Sequence, residues 1–336
     1  MSEPIERDAR ANPVPPLSVI VPTHDTRALT ERCFAALAAA CGPDCELLLV
    51  DDASSDGTTA AIVRAHPGVR VIRLEGPQGF TAAANAGLAA ATGEILWLLN
   101  SDTEVGRTAP AALLDAFARH PWLGVAGASL HAPDGAAQWS GGRAPSLPWL
   151  LALASGGAAL LGRLPGYRRV KQIGAAAGVE VDWVSGAALA IRREVWRRSA
   201  PLDERFRFYG QDVDLCLRVR DLGWQVMIVP GVRVLHHEGS TIGRDEHAVA
   251  ARYHAAHLWT DLVRLAEKRG GAPRARRARA ALLAGARLRV ALRRLAIPLL
   301  PVPARAAWQA DTRALDAGVA ALRAYAPGAG RAPAAT

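Results

Sequence analysis

The chain has 336 residues, half of them hydrophobic, with a formal net charge of +9, which suits one large domain with an appendage, or two domains. No uninterrupted apolar run reaches the ~18 residues of a spanning helix, and the first ten residues are charged and lack the apolar core of a secretory signal. Cysteines at 33, 41, 45 and 216 suit reduced thiols rather than a disulfide framework, and the Cys41/Cys45 spacing lacks the second ligand pair of a zinc site; a cytoplasmic location is the expectation.

In chain order, residues 1–16 hold four prolines without periodicity and form a flexible leader. Leu17 to Pro22 is a buried strand ended by proline, and Arg27 to Ala40 is a helix with Leu29, Cys33, Leu37 and Ala40 on one face. Glu46 to Val50 is a second strand running into Asp51-Asp52-Ala53-Ser54-Ser55-Asp56-Gly57-Thr58, where Ser55 or Asp56 caps a helix reaching about Ala65. A strand from Val69 to Leu74, a glycine turn at Gly76 and Gly79 and an alanine-rich helix from Thr81 to Ala91 lead into a strand ending at Asn100-Ser101-Asp102. Four strands alternating with three helices are βαβ units, which predict an α/β fold with a mostly parallel sheet flanked by helices.

A helix after Pro110 and a strand near Val125 to Leu130 extend the pattern, which weakens from about 131 to 180. It returns with an apolar run from Val181 to Ile191, a helix from Val213 to Leu222 with an acidic first turn, a strand from Gln225 to Val229 and another from Val232 to His237. After Tyr253 the chain is helical, broken at Gly270-Gly271-Ala272-Pro273, and residues 301–336 are expected to form a partly disordered tail. Eleven Lys or Arg between Arg264 and Arg294 face one acid, Glu267, a local charge of +10 on a body near −1. This basic helical extension, residues 246–300, points to an anionic partner. A membrane surface is favoured over nucleic acid, because no groove-reading helix or aromatic stacking set accompanies the arginines. The apolar segment Leu147 to Leu161, interrupted by Pro148 and Gly156-Gly157, reads as an interfacial element.

Two acidic clusters carry the chemistry. Asp102 stands at the carboxyl end of a parallel strand, where open α/β sheets bind ligands, and Asp212 and Asp214 open a helix. Taken alone, the second pair is equally explained as helix capping.

Seven segments in register, Val21-Pro22-Thr23-His24-Asp25, Asp51 to Thr58, Gly79-Phe80 through Asn85-Ala86-Gly87, Leu99 to Asp102, Gly186-Ala187-Ala188, Asp203 to Arg218, and Val234 to Ser240, make residues 17–245 resemble the family 2 glycosyltransferases. These are inverting enzymes of GT-A fold, and the closest likeness is to the rhamnosyltransferase-type branch that builds cell-surface polysaccharide. The resemblance implies a nucleotide-sugar half over 17–130 and an acceptor or catalytic half over 131–245. It also implies a dTDP- or UDP-sugar donor, plausibly dTDP-rhamnose, a lipid-linked or polysaccharide acceptor, and work at the cytoplasmic face of the cell membrane.

On that reading Pro22, Thr23 and Asp25 line the base slot, Asp52 accepts the pyrimidine N–H, and Asn85, Asn100 and Ser101 contact the nucleotide. Mg²⁺ or Mn²⁺ is held by Asp102 and by a histidine, His236 in the family's position or its neighbour His237, which a strand turns to opposite faces. Asp212 is the base that removes the acceptor's proton, and Trp183, Tyr209 and Gln211 are weaker candidates for the sugar or acceptor. Asn100 and Gln211 replace acids that the family usually carries, which keeps open a silent domain that binds nucleotide sugar without turnover.

Overall fold

The computed structural model describes residues 16–157, 171–173, 178–206, 209–237 and 247–328, with residues 171–173 and 247–254 by backbone alone. The expected leader, residues 158–161 of the apolar segment, Glu238-Gly239-Ser240 and the last eight residues lie outside them.

Strands β1 (Leu17–Thr23), β2 (Cys45–Asp51), β3 (Arg70–Arg73) and β4 (Ile95–Leu99) alternate with helices α1 (Arg27–Ala40), α2 (Thr58–Ala65) and α3 (Phe80–Ala90). They pair in parallel in the order β3-β2-β1-β4. β1 is buried along its whole length, as a strand covered on both faces must be. α1 turns Thr30, Cys33, Phe34 and Leu37 to the core, so the buried face is rotated by one residue from the Leu29 stripe read in the sequence. α3 lies so close to the sheet that a Cβ on Gly87 would meet Ile20 and approach Val50 Cγ2 to 2.7 Å. Gly87→Ala is therefore expected to overpack this contact, costing about 1–3 kcal/mol, readable as a lower urea midpoint.

Beyond Asp102 come β5 (Thr103–Val105), α4 (Ala109–Arg119), β6 (Leu123–His131), β7 (Trp139–Gly142), α5 (Leu147–Ser155), β8 (Lys171–Ile173), β9 (Val179–Glu180), β10 (Trp183–Val184), β11 (Ala188–Arg192) and α6 (Arg193–Ser199). The main sheet continues β4-β11-β6-β12-β5, where β12 is Gln225–His236 and β9 adds to it; β10, β7 and β8 form a small second sheet. β11 runs antiparallel to both β4 and β6, so the sheet is mixed. The apolar run from Val181 to Ile191 divides at Ser185-Gly186-Ala187 into β10 and β11, each in a different sheet. The two strands expected at its far end are one, β12, interrupted by a register shift between Val229 and Arg233; the break contains Pro230, which has no N–H to give a ladder.

Helix α7 (Gln211–Asp221) packs behind β12. Helix α8 (His247–Ala296) is broken by non-helical backbone at Gly270 and Gly271 ahead of Pro273, and α9 (Val302–Ala324) folds back along it. The expectation of a partly disordered tail over 301–336 is corrected for most of its length. Thr312, Leu315, Val319 and Leu322 follow helical spacing and are buried in a third core with Trp149, Trp259, Leu262 and Leu282. The apolar segment from Leu147 joins the same core, with Trp149 and Leu150 turned inward.

The basic run is less open than its charge suggests. Arg264 pairs with Asp261, Lys268 with Asp203 and Asp214, Arg269 with Asp221, Arg293 with Asp311 and Arg294 with Asp316. No helix among the described residues is long and apolar enough to cross a membrane.

Candidate active site

The carboxyl ends of β1, β2 and β4 carry the polar residues that the sequence singled out. At the end of β1, Pro22 is buried, and the buried Thr23 hydroxyl sits 2.8 Å from the hydroxyls of both Thr26 and Thr30. Thr26 continues the chain to Ser101, Oγ1 to Oγ at 3.1 Å. Thr23 and Ser101 thus join β1 to β4 through a run of hydroxyls rather than presenting free groups to a base. Asp25 takes a left-handed backbone, φ 49°, and its carboxylate accepts the Ser55 N–H at 2.6 Å and the Asp56 N–H at 3.2 Å. The Ser55 bond leads in holding the Asp25 carboxyl below its usual range.

The neighbouring acids of β2 have separate duties. Asp51 is fully buried, accepts the Ser54 N–H at 2.8 Å and pairs with Arg73. Asp52 receives the backbone N–H groups of Gln78 and Gly79 at 2.7 and 2.8 Å, one on each oxygen. It therefore fastens the glycine turn that enters α3; each oxygen retains a further lone pair with which to accept. His24, to which no role was assigned from sequence, sits on the same rim with Nδ1 2.6 Å from the Asp52 carbonyl.

At the end of β4, Asn100 receives no partner for its buried Oδ1 among the described residues, leaving an acceptor that a bound ligand or water would satisfy. Asp102 is 2 % exposed, and His236 Nε2 lies 3.5 Å from its Oδ1. The antiparallel pairing of β12 with β5 produces this meeting, since His236 stands opposite Thr103. The period-two strand sends His237 elsewhere: its Nε2 lies 2.8 Å from Glu104. Gln138 holds His236 from behind, its Oε1 3.1 Å from Nδ1 and its Nε2 donating to the His236 carbonyl. The sequence held no local sign of Gln138 or Glu104, because both contacts are made by side chains about a hundred residues away along the chain.

Asp212 enters from the opposite side, on the first turn of α7. Its Oδ2 accepts the Gly186 N–H at 2.9 Å, and the carbonyl of the next residue, Ala187, accepts the Asn100 N–H at 3.0 Å. The Ser185–Ala187 loop, product of the split between β10 and β11, thereby links the two acidic clusters through two consecutive residues. Burial raises the Asp212 carboxyl above its usual range, opposed by the N–H bonds from Gly186 and Val213. Asp214 is fully buried and receives Arg218 Nε at 2.9 Å and Lys268 Nζ at 2.8 Å. Lys268 also reaches Asp203 at 2.7 Å. Burial works against ionisation of Asp203, but the hydrogen bonds from Arg205 and Lys268 outweigh it and hold that carboxyl low. One α8 lysine thus ties the start of the 203–210 loop to the helix that follows it.

Four further candidates make contacts with the protein itself or sit beside the base candidate. Asn85 was expected against the nucleotide; its Nδ2 instead donates to the Leu202 carbonyl and Glu204, while its Oδ1 accepts the Leu202 N–H. The amide is used in holding α3 to the 202–204 loop. Trp183 was a candidate to stack on sugar; it is buried edge-on against Trp139 at 5.1 Å between centroids and donates its Nε1–H to the Arg143 carbonyl. Tyr209 is held through its backbone N–H to Asp261 of α8 at 3.4 Å. Gln211 is buried at the head of α7, one residue before Asp212. All four cysteines are free.

Among the described residues no group of three or more His, Cys, Asp or Glu converges to hold a metal ion. The pair Asp102 and His236 supplies one carboxylate oxygen and one imidazole nitrogen, a set suited to a cation that completes its shell with substrate phosphates and water.

Residues 18–179 match the family model for glycosyl transferase family 2. An N-acetylglucosaminyl-diphospho-decaprenol L-rhamnosyltransferase of Mycobacterium tuberculosis is 32 % identical over 272 residues, covering 76 % of this chain and 85 % of that protein. The O-antigen biosynthesis protein RfbC of Myxococcus xanthus is 29 % identical over 236 residues, 68 % of this chain but 18 % of that much longer protein. Among solved structures, a mannosyltransferase of Pyrobaculum calidifontis in complex with GDP-Man and Mn²⁺ superposes with a TM-score of 0.54 at 18 % identity, covering 92 % of this chain and 87 % of that one; at that identity the likeness is one of fold. The mixed sheet, the acidic strand end facing α7 and the long alignment with a rhamnosyltransferase agree, and the chain belongs to glycosyl transferase family 2.

Proposed function

We propose that this glycosyltransferase performs a metal-dependent, inverting transfer of a sugar, L-rhamnose from dTDP-rhamnose, onto a lipid-linked glycan acceptor at a membrane surface. The observation that carries the reading is the link from Asp212 through Gly186-Ala187 to the β4 end that bears Asn100 and Asp102, which supports pairing Asp212 as base with Asp102 and His236 as cation ligands. The sugar and the lipid-linked acceptor come from the rhamnosyltransferase relative's name, and the dTDP carrier from the family resemblance.

In this reading Pro22, Asp25 and Asp52 frame the base, with the spare lone pairs of Asp52 available to a pyrimidine N–H, and the orphaned Asn100 Oδ1 accepts a ribose hydroxyl. Asp102 and His236 hold Mn²⁺ or Mg²⁺, which when bound offsets the charge of the departing diphosphate. Asp212 takes the proton of the acceptor hydroxyl as its oxygen bonds to the anomeric carbon and the carbon–phosphate-oxygen bond opens on the other face. The exposed Leu288, Leu292 and Leu295 on the last turns of α8, followed by the exposed Leu299 and Val302 of the turn into α9, offer apolar surface for peripheral attachment to an anionic bilayer.

Gln138 fixes the orientation of His236, so Gln138→Leu is expected to weaken activation by Mn²⁺ about 10–100-fold with little change at saturating metal. The reading as a whole is tested by nucleoside diphosphate release across dTDP-, UDP- and GDP-sugars with a diphospholipid-linked N-acetylglucosamine acceptor. The expected result is metal-dependent turnover with dTDP-rhamnose; turnover confined to another donor would replace the assigned sugar.

A further inference from the structure

Between the start of α5 and the break in α8 lies a cleft of about 540 Å³, remote in sequence from the donor-binding strand ends, lined by Pro145, Leu147, Leu150 and Pro273 together with Arg274 and Arg277. A smaller hollow of about 110 Å³ shares Pro145, Leu150 and Arg274 with it and reaches Leu217 of α7. Leu217 is five residues beyond Asp212 on that helix, about 7–8 Å of axial rise. Arg274 and Arg277 are exposed, and neither forms an ion pair among the described residues. The basic neighbours Arg264, Lys268 and Arg269 are all paired with acids.

The cleft opens onto apolar surface. Leu147 and Leu151, one turn apart on α5, are more than two-fifths exposed. α8 crosses them closely at Gly285, where a Cβ would come within 2.6 Å of the Leu151 carbonyl oxygen. One turn beyond Gly285 begins the exposed stripe of Leu288, Leu292 and Leu295. An apolar hollow with two uncompensated guanidinium groups, joined at one end to the helix of the base and at the other to a leucine ridge, matches an amphiphile with a compact anionic head. Arginine is suited to such a head, because its planar fork binds phosphate oxygens in pairs.

We infer that this cleft receives the isoprenoid-diphosphate portion of the acceptor. Arg274 and Arg277 take the phosphates, Leu147, Leu150 and Pro273 cover the first isoprene units, and the chain leaves along Leu151 and Leu288. The assignment rests on the lipid-linked acceptor of the proposed function and names the residues that recognise it. A flat bilayer contact would need only the convex leucine ridge, whereas the arginines lie where a single molecule enters.

Titration of the full-length protein with farnesyl diphosphate in the presence of EDTA separates this site from the metal-dependent donor site. Saturable binding is expected, unaffected by added dTDP, at least about tenfold tighter than inorganic diphosphate, and weakened at least about tenfold in the Arg274→Gln/Arg277→Gln double variant. Retained dTDP binding with Mn²⁺ would show that the variant is folded. Absence of binding by the native protein, equal affinity for inorganic diphosphate, or an unchanged constant in the double variant would overturn the assignment, whatever the donor assays give. Loss of sedimentation with anionic vesicles, with farnesyl diphosphate affinity intact, would overturn it in favour of lipid head groups. Failure of the enzyme to transfer any sugar, with this binding intact, would instead count against the proposed function.

Discussion

Asp212→Asn is expected to lower kcat by about 10²–10⁴-fold, the usual range for removal of a general base, with the KM for the donor nearly unchanged. Asn keeps an oxygen to accept the Gly186 N–H but cannot take the acceptor's proton, so the loss falls on the chemical step. The same residue sets a pH signature. Burial raises the Asp212 carboxyl, and only the ionised form can act as base; activity should therefore fall on the acid side through a limb displaced upward from that of an ordinary aspartate. A pH profile of kcat/KM in the native enzyme, with dTDP binding as the control for folding, checks both statements. A native limb at or below the usual aspartate range would remove Asp212 from the role.

Asp102→Asn is expected to be as severe for a different reason. The variant retains the size of the side chain but loses the charge that faces His236. Activity at a fixed Mn²⁺ concentration should fall at least about 100-fold, and part of it should return at high metal, since at 1.4 kcal/mol per tenfold a lost carboxylate ligand acts first on cation affinity. His237→Ala, whose imidazole is turned to Glu104, should leave the metal titration where it was. A variant pair in which His237→Ala shifted the titration and His236→Ala did not would exchange the two histidines.

Much of this arrangement was legible before any coordinates because it depends on local periods. A buried parallel strand delivers its last residues to the sheet's carboxyl edge, which located Asp52 and Asp102, and the alternation of a strand separated His236 from His237. The register within α7 followed from apolar spacing and an acidic first turn. Contacts between distant segments left no such trace. Nothing near Asn85 announces that Leu202 will use its amide, and nothing near Asp214 announces Lys268, 54 residues away. Whether Trp183 stacks on a sugar or packs in the core depends on where Trp139 and Trp149 lie; together the three form an indole cluster. The antiparallel insertion of β11 depends on pairing partners on both sides, which hydrophobic patterning cannot specify. In the last segment the alanine, proline and glycine content masked an apolar face of about three turns that becomes evident once α8 is there to cover it.

These long-range ties also explain how the C-terminal helices bear on the reaction. Lys268 and Asp261 of α8 hold the two ends of the stretch from Asp203 to Tyr209, immediately ahead of Asp212. α8 is thus part of the scaffold that positions Asp212, in addition to any surface it offers to lipid.

The central claim is a single displacement at the anomeric carbon, assisted by one carboxylate base and a cation. The stereochemistry of the first-formed product, followed by NMR from a donor of defined anomeric configuration, tests it most directly. Inversion at the anomeric carbon is predicted, whereas a product of retained configuration would require a second displacement and contradict the assignment of Asp212 as the base.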